Sequence, residues 1–401
     1  MKFRLGILLL ICLALEGCKK EVRTGLDRVE GWSPVFANRR VGIITNHTGY
    51  NRDGEFIVEV FREMEGVQVA ALFGPEHGVA GLAQAGEKVQ DQELSSYGIP
   101  IYSLYGENRK PTEEMLKEVD VLVFDMQDIG ARFYTYISTM ALAMEAAAEK
   151  GIPFVVLDRP NPIGGRQVQG NVLDPAFATF VGLYPIATRH GMTAGELAKM
   201  FNGQGWLAGS VRADLLVIPV SGYKRSCWYD QTGLAFIKPS PNIPDLQTAA
   251  VYPGMCLLEG TNVSEGRGTD APFLQFGAPW IDVERLTAAL NNLNLAGLKF
   301  EAAVFTPASS KFKDEKCFGA RILVTDRNKI DPCWGGVLIV DALYRLYPDR
   351  FAWHENHFDR LCGTDRVRKA IVEHRPLGEL KRQWETEITA FKQLRAKYLL
   401  Y

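Results

Sequence analysis

The stretch VDVLVFDMQDIGARFYTYISTMALAMEAAAEKGIPFVVLDRPNP (119–162) decides the fold. DVLVF (120–124) is a short apolar run of strand length. Ile137–Lys150 is rich in alanine and methionine, which favour helix, and it stops at Gly151, a residue suited to the left-handed turn after a helix. PFVVL (153–157) is a second strand-like run. Strand, helix and strand in that order make a βαβ unit, whose two strands run parallel.

The same alternation extends outward. VGIIT (41–45), VAALF (69–73), IPIYSL (99–104) and ADLLVIPV (213–220) read as further strands. Glu55–Glu65, Thr112–Glu118 and a segment opened by the capping box Thr193–Glu196, ending before Asn202, read as helices. Residues 221–256 are rich in loop signals, prolines and aromatics, and read as an ordered wall. The pattern changes after Trp280. Ile281–Leu293 is a helix capped by Asp282, FEAAVFTP (300–307) and CFGARILVTD (317–326) are strands, and WGGVLIVDALYRLYP (334–348) and Leu377–Tyr398 are helices. The expected fold is α/β: a parallel-sheet domain over 26–280, then a smaller α+β domain over 281–401.

The 401 residues carry 45 Lys and Arg against 47 Asp and Glu, with no long basic run, which argues against nucleic acid as a partner. Lys2, Arg4 and the apolar stretch Leu5–Leu15 form a leader too short to span a bilayer. Leu15-Glu16-Gly17-Cys18 resembles a lipobox, so 1–17 is expected to be a lipoprotein signal, Cys18 the lipidated residue and 18–25 a tether in the cell envelope. A plain secretory signal cut nearby is the alternative. Cys227, Cys256, Cys317, Cys333 and Cys362 remain; their spacing fits no zinc pattern, and buried free thiols are the expected state.

Open parallel sheets bind ligands outside the carboxyl ends of their strands. Polar clusters follow the apolar runs here: Asn46-His47-Thr48, Pro75-Glu76-His77-Gly78, Tyr105-Gly106, Asp125 to Tyr136, Asp158-Arg159-Pro160-Asn161, and, after LLEG (257–260), Thr261-Asn262 through Arg267. No P-loop, no G-x-G-x-x-G after the first strand, no G-x-S-x-G and no H-E-x-x-H occurs, so no nucleotide cofactor is implied.

Glu76 stands out, bracketed by Pro75 and Gly78 just past a strand. A carboxyl group there can serve as general acid, or it can cap backbone or pair with an arginine. Asp125, Asp128 and Arg132 can orient a sugar or activate water, or can fix a loop; Tyr134 and Tyr136 can stack on a sugar ring or pack in the core. Arg159 and Asn161 carry the same two readings, as does His190 ahead of the capping box. Glu265 and Arg267 lie in a glycine-rich loop suited to carboxylate recognition, or form a surface ion pair. His47, His77 and His190 with Asp125 would be a metal set, although their spacing is not that of zinc.

GIITNHTG (42–49), LFGPEHGVAG (72–81), VFDMQDIGARFYTYISTM (123–140), LDRPNPIGG (157–165), RHGMTAGELA (189–198), SPNIP (240–244), YPGMCLLEGTNVSEGRGT (252–269) and FDRLCGTD (358–365) resemble the bacterial exo-β-N-acetylmuramidases. The resemblance covers nearly the whole chain after the leader. It implies a Rossmann-like domain, a smaller C-terminal domain and a cleft between them. It implies release of terminal N-acetylmuramic acid from the non-reducing end of peptidoglycan fragments, without a cofactor. It places the catalytic glutamate on Glu76 and offers Asp125, Asp128 and Glu265 as the second carboxylate. A non-catalytic sugar-binding lipoprotein and a metal-dependent hydrolase of another bond are the competing readings.

Overall fold

The computed structural model describes residues 21–81, 92–94 and 98–401. In chain order its strands are β1 (Arg40–Thr45), β2 (Gln68–Gly74), β3 (Gln92–Leu94), β4 (Ile99–Ser103), β5 (Val121–Asp125), β6 (Phe154–Leu157), β7 (Gln169–Val172), β8 (Ala187–Arg189), β9 (Leu215–Ile218), β10 (Gln275–Ala278), β11 (Leu298–Phe305) and β12 (Cys317–Val324). The helices are α1 (Ile57–Glu63), α2 (Tyr136–Lys150), α3 (Ala194–Gln204), α4 (Leu246–Met255), α5 (Val283–Asn292), α6 (Pro332–Leu346), α7 (Glu355–Cys362), α8 (Arg366–Val372) and α9 (Leu377–Arg395).

The main sheet has the order β3-β4-β2-β1-β5-β6-β9. Its neighbours pair in parallel except at the edge, where β3 is antiparallel to β4. Alternation within the strands divides the core. Val41, Ile43, Val121, Val123, Val155 and Leu157 pack under α1 and the 3₁₀ segment Leu26–Val35. Ile44, Phe73, Phe124, Phe154 and Val156 face the other way. They join α2, α3 and then Val337, Leu343 and Trp384 of the C-terminal helices in one continuous apolar cluster. The second sheet, β10-β12-β11, is antiparallel.

The expected α/β architecture is therefore present, with differences in detail. LLEG (257–260) is not a strand: Cys256–Gly260 is a 3₁₀ continuation of α4. The loop expected over 221–256 contains α4 itself. Pro253 masks that helix in the sequence: it lies inside α4 although it supplies no backbone N–H to the ladder. Asp245 starts α4 by accepting a bond from the Thr248 amide. Gly254 lets α4 touch α6: a Cβ there would meet the Pro332 carbonyl at 1.7 Å. Thr112–Glu118 forms turns and no regular helix. The helix opened by Thr193 runs through Asn202 and stops at Gly205. Residues 21–25, expected as tether, are docked: Arg23 pairs with Ser221 and the Gly25 amide donates to the Asp158 carbonyl at 2.8 Å. The cysteines from Cys227 onward are free thiols, all but Cys227 buried. Cys18 and the leader lie outside the described residues. Among the described residues no helix is long and apolar enough to cross a membrane.

Arg132, expected at the substrate, is 1 % exposed and works inside the fold. Its guanidinium donates to the carbonyls of Asn171 (2.9 Å), Ile186 (3.0 Å) and Cys362 (2.7 Å). It thereby ties the segment after β5 to the β7–β8 hairpin and to the end of α7. Lysine cannot reproduce that planar fork. Arg132→Lys should cost about 2–4 kcal/mol of stability in urea unfolding, because it leaves buried carbonyls unpaired. The KM of the folded fraction should stay unchanged.

Candidate active site

A cavity of about 640 Å³ opens beside the carboxyl ends of β2, β4 and β5. Glu76, His77, Tyr105, Tyr134 and Thr135 come to it from those strand ends, and Tyr252, Glu259, Glu265, Arg267, Lys311 and His357 from the later elements. Its size is within the roughly 300–1,000 Å³ usual for small-molecule sites.

Glu76 sits in the turn after β2. The Pro75 carbonyl accepts from the Gly78 amide at 2.9 Å, closing that turn. His77 takes φ 74°, a left-handed conformation that a non-glycine residue adopts at a cost, and such strain collects at functional sites. Two hydroxyls address the carboxylate. The Thr135 hydroxyl donates to its Oε2 at 2.7 Å. Tyr105 lies close enough to Glu76 to feel its charge: its phenol is pushed up to about 12, by burial first and by the Glu76 charge second. Tyr105 is held because Leu104 pairs with Gly74, so β4 ends level with β2.

The opposite wall is ionic. Arg267 Nη2 lies 2.8 Å from Glu259 and its Nε 3.3 Å from Glu265. Lys311 Nζ lies 3.0 Å from Glu265 and donates also to the Leu258 (2.8 Å) and Val263 (3.0 Å) carbonyls. His357 stands 3.8 Å from Glu259. Burial alone would raise the Glu259 carboxyl, but the charge of Arg267 and its hydrogen bond to the carboxylate, with His357 nearby, outweigh it and hold the group at about 2. The Arg267 guanidinium also lies over the Phe273 ring at 5.1 Å.

Of the residues singled out in the sequence, Glu76, His77, Tyr134, Glu265 and Arg267 line the cavity. The others lie off it. Asp125 is fully buried in a two-pronged pair with Arg159, whose Nη2 is 2.8 Å from Oδ2. A carboxylate spent on a buried guanidinium has no access to substrate, so Asp125 and Arg159 support the sheet edge. Asp128 accepts from the Gly130 amide at 2.8 Å and faces His190 at 3.5 Å, both 6 % exposed or less. Asn46 accepts from Thr48, and Asn161 donates to the Met192 carbonyl at 2.9 Å. Tyr136 donates to the Pro239 carbonyl at 2.6 Å and stacks edge-on against Tyr134. Asn262 brackets Arg350 and Ala352 through its amide. Trp228 lies between Arg189 and Arg327 and is no sugar platform. Glu196 closes the expected capping box with Thr193 and also binds Arg225. No group of three or more His, Cys, Asp or Glu that could hold a metal ion occurs among the described residues.

Sequence reasoning passed over Tyr105, Thr135, Lys311 and His357 as site residues. Tyr105 follows a strand and was visible to the strand-end rule; Lys311 and His357 belong to no motif, and only the tertiary fold brings them in.

The clamp on Glu259 sets a pH dependence. Its folded value lies below the ordinary 4.5, so it adds stability above that pH, and this is lost as pH falls toward about 2. Glu259→Gln should cost about 2–3 kcal/mol at pH 7, with the gap from the parent closing as acid denaturation is followed from pH 5 to 2.

Comparison with known proteins assigns this architecture. Residues 41–247 match the family model "Exo-beta-N-acetylmuramidase NamZ, N-terminal", and residues 250–401 match its C-terminal counterpart. The chain is 46 % identical over 385 residues to the peptidoglycan beta-N-acetylmuramidase NamZ of Bacillus subtilis, covering 96 % of this chain and 92 % of that protein. Crystal structures of two DUF1343 family proteins from Bacteroides fragilis superpose with TM-scores of 0.88 and 0.78, at 38 % and 35 % identity, each covering 95 % of this chain and 99 % of theirs. The chain belongs to the exo-beta-N-acetylmuramidase NamZ family.

Proposed function

We propose that this protein is a glycoside hydrolase that removes terminal N-acetylmuramic acid from the non-reducing end of peptidoglycan fragments, with Glu76 as general acid/base. The observation that carries the reading is the setting of Glu76: a carboxyl group at the strand-end cavity, addressed by the Thr135 and Tyr105 hydroxyls. Neutral donors fix the orientation of a carboxyl group without adding a charge, which suits a group that must gain and lose a proton. Family membership and the identity to the Bacillus subtilis enzyme support the same substrate class.

Glycoside hydrolysis ordinarily uses a second carboxylate. Asp125 and Asp128 lie off the cavity; Glu259 and Glu265 line it. Both glutamates pair with Arg267, and Glu265 also with Lys311, which suits the anionic form of a base or an oxocarbenium stabiliser better than a proton donor. The 2-acetamido group of the substrate can also take the nucleophile's part. Tyr134 and Tyr252 offer ring surface on the cavity wall, Tyr134 being one of the two tyrosines read in the sequence as able to stack on a sugar.

Release of the aglycone from a chromogenic β-N-acetylmuramide tests the proposal. Glu76→Gln should lower kcat by about 10²–10⁴-fold, the usual worth of general acid/base catalysis, with KM little changed. Full activity in that variant removes Glu76 from the chemistry; no activity in the parent protein removes the reaction.

We further propose that the protein is held at the cell envelope by lipid on Cys18. Labelled palmitate should enter the parent chain in a bacterial host and not Cys18→Ala; label in neither would leave a secreted, unanchored protein.

A further inference from the structure

N-acetylmuramic acid differs from N-acetylglucosamine by a 3-O-lactyl ether that ends in a carboxylate. A site that tells them apart needs a cation whose donors are not already spent. Among the described residues, Arg109, Arg267, Lys311 and Arg360 are the lysines and arginines lining the cavity. Arg267 is committed to Glu259 and Glu265. The ammonium of Lys311 has three N–H groups, and the carbonyls of Leu258 and Val263 and the carboxylate of Glu265 take them. Arg132 and Arg159, the other arginines the motifs suggested, are spent on buried carbonyls and on Asp125. Arg109 and Arg360 are left: both are exposed, and neither pairs with a carboxylate among the described residues.

The two differ in how they are held. No hydrogen bond, ion pair or ring contact fixes Arg360 among the described residues. Arg109 lies with its guanidinium carbon 4.6 Å from the centre of the Phe180 ring. Phe180 also packs against Tyr105, with ring centres 6.2 Å apart. Tyr105 in turn lines the cavity beside Glu76, whose charge acts on its phenol. The succession Arg109, Phe180, Tyr105, Glu76 therefore places a stacked cation on the side of the cavity where the proton transfer is proposed. Stacking restrains the guanidinium plane and leaves its N–H edges for two parallel bonds to a carboxylate.

Resting on the muramidase reading, we propose that Arg109 binds the 3-O-lactyl carboxylate of the terminal sugar and so sets the preference for muramic acid. The contact is a specificity determinant and takes no part in proton transfer. Neutralising the carboxylate removes its partner, so the effects of changing the arginine and of changing the ligand should not add.

The test is a cycle of two substrates and three proteins. A chromogenic β-N-acetylmuramide with a free lactyl carboxylate is compared with its lactyl methyl ester, for the parent, Arg109→Gln and Arg360→Gln. The parent should favour the free acid by about 10–100-fold in kcat/KM, the range expected of a charge-assisted pair. Arg109→Gln should lose that preference, through KM on the free acid, and match the parent on the ester. Arg360→Gln should keep the preference. An undiminished preference in Arg109→Gln, an equal loss on both substrates, or collapse of the preference in Arg360→Gln would each overturn the assignment. Failure of the parent to cleave either substrate would instead overturn the muramidase reading beneath it.

Discussion

A single buried guanidinium holds the parts of this molecule in register. Arg132 gathers carbonyls from the β7–β8 hairpin and from the end of α7, while its own backbone lies three residues before Thr135, which bonds Glu76. Its amide bonds the Thr188 carbonyl at 2.8 Å, so main chain and side chain bind the same hairpin. A cation here is costly to desolvate, and burial pulls its pKa down to about 10. Three carbonyls from separate segments offset that cost, and each would otherwise be a buried acceptor without a donor. The clamp thus joins the segment that carries Thr135 to the end of α7, the helix that carries His357.

Much of the fold was legible in the sequence because its elements are local. The strands around Val41, Val69, Val121 and Phe154 are short apolar runs, and α2 is helix-forming along its length and ends at Gly151, which takes φ 72°. The errors arose where a local signal had a tertiary answer. Pro253 read as a loop marker, yet close packing of Gly254 on α6 keeps that segment helical. LLEG resembles a strand in composition and continues a helix in the structure.

The site was legible only in part, for an electrostatic reason. The strand-end rule finds polar residues at the binding edge and cannot say which of them satisfy each other. Asp125 with Arg159, Asp128 with Gly130 and His190, and Asn46 with Thr48 look as reactive in sequence as Glu76 does. They are the internal bonding that makes an irregular sheet edge stable. Glu76 differs in facing a cavity, and Glu265 and Arg267 in forming a pair that lines it. The resemblance to a known family picks out whole segments, and within each the fold separates residues that bond one another from residues that face the cavity.

The cavity also constrains how such a protein can change over generations. Its acid-bearing wall comes from before α4 and its ionic wall from after it, and the two family models meet within that helix, between residues 247 and 250. The junction looks like a seam where halves from two relatives could be exchanged. It is the reverse of one. A swap there would pair one lineage's Glu76, Tyr105 and Arg109 with another's Glu259, Lys311 and His357, and would mismatch the Arg132 clamp, which joins Asn171 and Ile186 to Cys362. Each half therefore supplies one wall of the cavity and one end of the Arg132 clamp, and a change in either alters what the other half faces.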